Sequence, residues 1–90
     1  MSKIVLYFTA SWCGPCQQIK PVYNKCVETH QNISFYIVDV DDSKNKILLD
    51  TYGIESMPTF IFLHSNRIVG KVNGPDANKL IVLCNQLATL

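Results

Sequence analysis

A chain of 90 residues has room for one small core, so residues 1–90 are expected to fold as a single domain. With 48% hydrophobic and 17% charged residues it reads as an ordered globular chain, which excludes intrinsic disorder. A formal net charge of +1 gives no electrostatic case for nucleic acid or a membrane surface, and no apolar run approaches the roughly 18 residues that cross a bilayer.

The run Lys3-Ile4-Val5-Leu6-Tyr7-Phe8-Thr9-Ala10 is apolar, β-branched and aromatic, and reads as a buried strand. Ser11-Trp12-Cys13-Gly14-Pro15-Cys16 follows, and from about Cys13 to Thr29 the pattern is helical, with Ile19, Tyr23, Cys26 and Val27 on one apolar face. Pro21 removes a backbone donor inside this helix, so a kink is expected there. Asn32 closes the turn before Ile33–Val40, an almost unbroken apolar run suited to burial between helices. The acidic run Asp39-Val40-Asp41-Asp42 reads as a solvated strand end and helix cap rather than a metal site.

Asp42 or Ser43 can cap a shorter helix carrying Ile47, Leu48 and Tyr52, with Gly53 as its stop. Thr59–Leu63 and Arg67–Val72 are strands joined across His64-Ser65-Asn66, a connection short enough to predict an antiparallel hairpin. Gly74-Pro75-Asp76 breaks the second of them, and Asp76 can cap a last helix with Leu80, Cys84 and Leu87 on one face. The order is β-α-β-α-β-β-α, an α/β chain. It predicts a mixed sheet of about four strands with helices on both faces, the first two strands parallel with a right-handed crossover, and the cysteine pair at the sheet's edge. Tyr23, Tyr36, Tyr52 and the phenylalanines are expected in the core, His30 and His64 at the surface.

The chemistry lies in the cysteines. Two thiols spaced by two residues can close a small disulfide ring or open to a dithiol. At a strand-to-helix junction the first sulfur sits near unpaired backbone N–H groups, and these with the helix dipole stabilise a thiolate. Cys13 is therefore the expected nucleophile and Cys16, one turn inside, the resolving thiol. A structural half-disulfide or a metal ligand is the alternative, but no second CxxC or CxxH supplies the further ligands a zinc site needs. Pro15 suits the start of the helix because it has no N–H to leave unpaired. Trp12 is expected as a partly exposed apolar platform beside the sulfurs, against the plainer reading of a core tryptophan. Cys26 and Cys84 fall on apolar helix faces as small hydrophobes, with regulatory oxidation or dimerisation through one of them as the sharper alternative.

Trp12-Cys13-Gly14-Pro15-Cys16 is similar to the active-site signature of the thioredoxins, and Ile54-Glu55-Ser56-Met57-Pro58-Thr59 resembles their cis-proline loop. Pro21 resembles the family's kink proline and Asn73-Gly74 its glycine after the last strand; all four marks occur in order over nearly the whole chain. The resemblance implies a thioredoxin-like fold, reduction of protein disulfides by a reversible Cys13–Cys16 pair, and a cis bond before Pro58. It also implies a shallow substrate groove of Trp12, Gly14, Pro15, Met57, Pro58 and Gly74, where an extended peptide pairs with the backbone before the proline. No bound cofactor or metal is implied: electrons come from NADPH through a thioredoxin reductase, or from glutathione in the alternative. Partners are disulfide-containing proteins and the reductase, with no nucleic acid and no membrane.

Two departures stand out. Thioredoxins usually carry an extra strand and helix before the first strand, whereas this sequence starts two residues ahead of it. Strand 33–40 is then expected to be a sheet edge; a monomer is expected, with weak dimerisation through that edge as a hypothesis. Tyr7 stands six residues before Cys13, where the family has a buried aspartate. A phenol, with an ordinary pKa of about 10, is a poor substitute for that base, so slower or water-mediated deprotonation of Cys16 is expected. Gln17 and Gln18 give a neutral rim where many thioredoxins place a lysine. A glutaredoxin-like enzyme and a binding or chaperone module are the alternatives; Gly14-Pro15 argues against the first and both cysteines against the second. An oxidase or isomerase would need an export signal. None is seen ahead of the first strand, so a cytoplasmic location is expected.

Overall fold

The computed structural model describes residues 2–90. In chain order they form strand β1 (Lys3–Thr9), helix α1 (Gly14–Thr29), strand β2 (Ser34–Asp39), a 3-10 turn (Ser43–Asn45) leading into helix α2 (Lys46–Thr51), strands β3 (Thr59–His64) and β4 (Arg67–Asn73), and helix α3 (Ala77–Ala88). One four-stranded sheet has the order β2-β1-β3-β4. β1 runs parallel to β2 and antiparallel to β3, and β4 is antiparallel to β3.

The two interior strands are apolar at nearly every position because both faces of the sheet are covered. Side chains alternate between faces. Val5, Tyr7, Phe60 and Phe62 pack with Ile19, Tyr23 and Cys26 of α1 and with Leu80, Cys84 and Leu87 of α3. Leu6, Phe8, Ile61 and Leu63 pack on the other face with Val38, where Leu48 and Leu49 of α2 and Tyr52 cover them.

β2 departs from expectation. Its apolar run is not buried between helices: Tyr36 is 54% and Ile37 60% exposed, and within the strand only Val38 is fully buried. It is the outermost strand and pairs with β1 alone among the described residues, so the helices gather over the sheet's centre and leave it half covered. Tyr36 is therefore not core. Ile47 is 77% exposed, because α2 is only one and a half turns long and directs Leu48 and Leu49 inward instead. Val27 likewise turns outward on α1. His30 and His64 are half-buried rather than superficial, and His64 closes β3 opposite Arg67 instead of lying in the turn. The turn itself is Ser65-Asn66, both with positive φ (51° and 70°), the backbone that two-residue hairpins require.

The ends of the helices follow the local rules. Asp76 Oδ1 accepts from the Lys79 N–H at 3.1 Å to cap α3, and Asp42 Oδ1 accepts from the Lys44 N–H at 3.0 Å to cap the 3-10 turn. α2 stops at Gly53, whose φ of 60° lets the Ile54 N–H return to the Leu49 carbonyl at 3.0 Å. α1 continues through Pro21 without a break. The cysteine pair lies at the carboxyl end of β1, an interior strand, and so not at the sheet's edge as expected.

Candidate active site

Chain leaving β1 reaches α1 in four residues, Ala10 to Cys13, and the Cys13 N–H donates to the Ala10 carbonyl at 3.2 Å. This tight turn makes Cys13 the N-cap of α1, with extended backbone and Pro15 inside the first turn. The Cys16 N–H donates to Cys13 Sγ at 3.2 Å. One of the helix's orphan donors thus points at the first sulfur, and no carboxylate in the first turn opposes negative charge there. Cys13 and Cys16 are joined by a disulfide, their Cα atoms 5.2 Å apart. Cys16 is wholly buried and Cys13 retains 5% exposure, so of the two residues only the first meets solvent.

The rest of the site is assembled from distant parts of the chain. Ala10, Cys13 and Cys16 form a small apolar cluster, against which Met57 and Val40 pack. The Met57–Pro58 peptide bond is cis. The Gly74 N–H donates to the Pro58 carbonyl at 2.8 Å, which pins the turn after β4 to the proline loop; Gly74 has φ 86°, a backbone that disfavours any side chain. Thr59 Oγ1, buried, donates to the Ser56 carbonyl at 2.7 Å and braces the same loop. Gly14 and Pro15 are exposed on the helix tip, and Trp12 is 65% exposed beside them. Trp12 is thus surface and not core. Its indole N–H donates to Asp41 Oδ2 at 2.7 Å, so it leans toward the end of β2 rather than over the proline loop.

The thioredoxin family model matches residues 1–86. The chain belongs to the thioredoxin family. It is 37% identical to human thioredoxin over 84 residues, which are 93% of this chain and 78% of that protein. It is 40% identical over 77 residues, 86% of its length, to a TPR repeat-containing thioredoxin of Oryza sativa, but spans only 24% of that longer protein. In three dimensions it is similar to the crystal structure of Malassezia sympodialis thioredoxin, with TM-score 0.87 and 35% identity, covering 97% of this chain and 76% of that one. The fold is that of the thioredoxins, and the Cys13–Cys16 pair is a thiol–disulfide oxidoreductase centre.

Three features of this thioredoxin site are not visible in the local sequence pattern. Asp41, assigned above to a solvated run, instead holds Trp12. Its neighbours do behave as caps: Asp39 Oδ1 accepts from the Asp41 N–H at 2.9 Å. Tyr7, wholly internal, donates its hydroxyl to the Cys16 carbonyl at 2.8 Å and ties the first turn of α1 to the sheet. Its ring stacks on Phe60 and lies against Tyr23, both centroids 4.6 Å away. Burial, with Tyr7 and Cys84 nearby, pushes the Tyr23 phenol up to about 12. Finally, the rim at Gln17 is not wholly neutral. Gln17 lines a hollow of about 270 Å³ with Tyr7, Lys20 and Asp39, which brings charges of both signs to that side.

Proposed function

We propose that this protein is a protein-disulfide reductase in which Cys13 attacks and Cys16 resolves. The observation that carries the assignment of roles is the asymmetry of the pair: Cys13 keeps some exposure and its Sγ accepts the Cys16 N–H, while Cys16 is wholly buried. In the reduced protein the Cys13 thiolate, stabilised by the helix N-terminus, attacks one sulfur of a substrate disulfide and expels the other as a thiolate. The Cys16 thiolate then attacks Cys13 Sγ. This closes the Cys13–Cys16 disulfide and releases the second substrate sulfur, so two electrons pass from the dithiol to the substrate.

Trp12, Gly14, Pro15, Met57, Pro58 and Gly74 form the binding surface for an extended peptide in this reading. Support comes from the packing of Met57 on the cysteines and the Gly74–Pro58 hydrogen bond, which set the loops side by side around Cys13. The protein holds no cofactor of its own and is recharged by NADPH through a thioredoxin reductase. It works in the cytoplasm, where the unpaired Cys26 and Cys84 thiols fit a reducing environment. It acts as a monomer, with association through β2 as the outcome that sedimentation at high concentration would reveal.

The test is reduction of insulin's disulfides under two electron sources, with Cys13→Ser as control. Turnover with NADPH and thioredoxin reductase is expected. Turnover only with glutathione and its reductase would replace this reading with a glutaredoxin-like one. Absence of any Cys13-dependent turnover, even with dithiothreitol, would leave a binding module.

A further inference from the structure

The chain carries two more cysteines, which the disulfide chemistry above does not use. Cys26 lies on α1 and Cys84 on α3, and both belong to the core between these helices and the sheet, with exposures of 5% and 0%. They are 58 residues apart in sequence, yet both sit in the one buried cluster where α1 packs on α3, and each thiol is the largest influence on the other's protonation. A buried cysteine acting only as a small hydrophobe needs no second thiol beside it. Here the fold sets two side by side.

The pair is also reachable. A groove of about 450 Å³ runs between α1 and α3, and Cys26 forms part of its wall. Pro21, Val22 and Ile81 make the groove apolar, while Lys25, His30 and Asn85 bring polar groups to it. Cys84 does not line it. One thiol therefore faces a cavity large enough for several waters or a small oxidant, and its partner waits behind.

We propose that Cys26 and Cys84 form a second redox-active dithiol, which a hydroperoxide entering the α1–α3 groove oxidises to a disulfide clamping the two helices together. The Cys26 thiolate attacks the distal oxygen of the peroxide, giving a sulfenic acid and hydroxide (or alkoxide). The Cys84 sulfur then attacks the sulfenic sulfur, and its proton leaves with the sulfenic oxygen as water. The proton first lost by Cys26 neutralises the hydroxide. For hydrogen peroxide, two thiols and one peroxide become one disulfide and two waters, a balanced two-electron step. The order of attack follows from the surroundings. The neighbouring Cys84 thiol holds Cys26 below its ordinary range despite burial, whereas the Cys26 neighbour and burial push Cys84 up.

The test begins with protein whose Cys13–Cys16 pair is already a disulfide, so that only Cys26 and Cys84 carry free thiols. After hydrogen peroxide treatment, thiols are counted in denaturant and peptides are mapped by mass. Free thiols should fall from two per chain to none, with a Cys26–Cys84 cross-linked peptide and a monomer on non-reducing gels, and dithiothreitol should then expose all four thiols by opening both disulfides. In Cys84→Ser, Cys26 should accumulate a sulfenic acid that dimedone traps; in Cys26→Ser, Cys84 should stay a free thiol. The wild-type map needs neither variant to fold. Disulfide-linked dimers, sulfinic acid on Cys26 beside an intact Cys84, or two unreacted thiols under excess peroxide would each overturn the proposal. Because Cys13 and Cys16 are blocked throughout, the result does not depend on whether the protein reduces insulin.

Discussion

The two ends of helix α1 present the same functional group in opposite settings. At its start, Cys13 caps the helix, accepts a backbone N–H and touches solvent. Ten residues past Cys16, Cys26 is packed among apolar side chains, and its sulfur is met by another thiol instead of by backbone donors. At the first end the unpaired N–H groups favour a thiolate that is open to a macromolecular disulfide. At the second, burial opposes the charge and the neighbouring thiol favours it, and only a small molecule can approach. A cysteine's chemistry is thus set by the donors around it and by what can reach it, both matters of position on the helix.

Substitutions can break this contrast, beginning with the largest effect. Cys13→Ser should reduce insulin-reducing turnover to background while leaving the thermal midpoint of the reduced protein nearly unchanged, because a serine hydroxyl of similar size can keep the helix cap. The next effect lies in the core beside Cys84. Tyr23 keeps its proton to about 12 in the folded chain, against an ordinary 10. The folded state therefore binds more protons than the unfolded one between those values. The resulting stability, on the order of 2 kcal/mol, is complete below pH 10 and lost as pH rises through 12. Denaturant midpoints should fall over that window, and Tyr23→Phe should flatten the fall.

Cys84→Ala removes one fully buried atom from the tighter region and should cost about 1–2 kcal/mol in urea unfolding, with insulin turnover retained. Tyr7→Phe deletes only the hydroxyl that links the sheet to the Cys16 carbonyl, and should cost about 1 kcal/mol. If that bond positions the first turn of α1, release of a trapped Cys13 mixed disulfide by Cys16 will also slow; an unchanged release rate would confine Tyr7 to packing. Trp12→Phe should be the mildest for stability, within about 0.5 kcal/mol, since an exposed ring loses one bond to Asp41. Its effect belongs in KM for protein disulfides.

Local pattern determined a large share of this protein. Continuous apolar, β-branched and aromatic runs give β1 and β3, helical spacing gives α1 and α3, and Asp76 and Gly53 mark helix boundaries, because run composition, periodicity, capping and left-handed backbone are properties of neighbours along the chain. The same holds for Cys13 at a helix N-terminus. Tertiary structure decided what depends on partners far away in sequence. Ile33–Val40 and Thr59–Leu63 look alike as apolar runs, but one became an outer strand with Tyr36 and Ile37 exposed and the other an interior strand, since burial follows from the number of flanking strands and covering helices. Asp41 reaching Trp12, Tyr7 reaching Cys16, and Cys26 meeting Cys84 across 58 residues were decided at the same level. No local preference encodes them; each exists because the sheet order and the packing of α1 against α3 brought those side chains within a few ångströms.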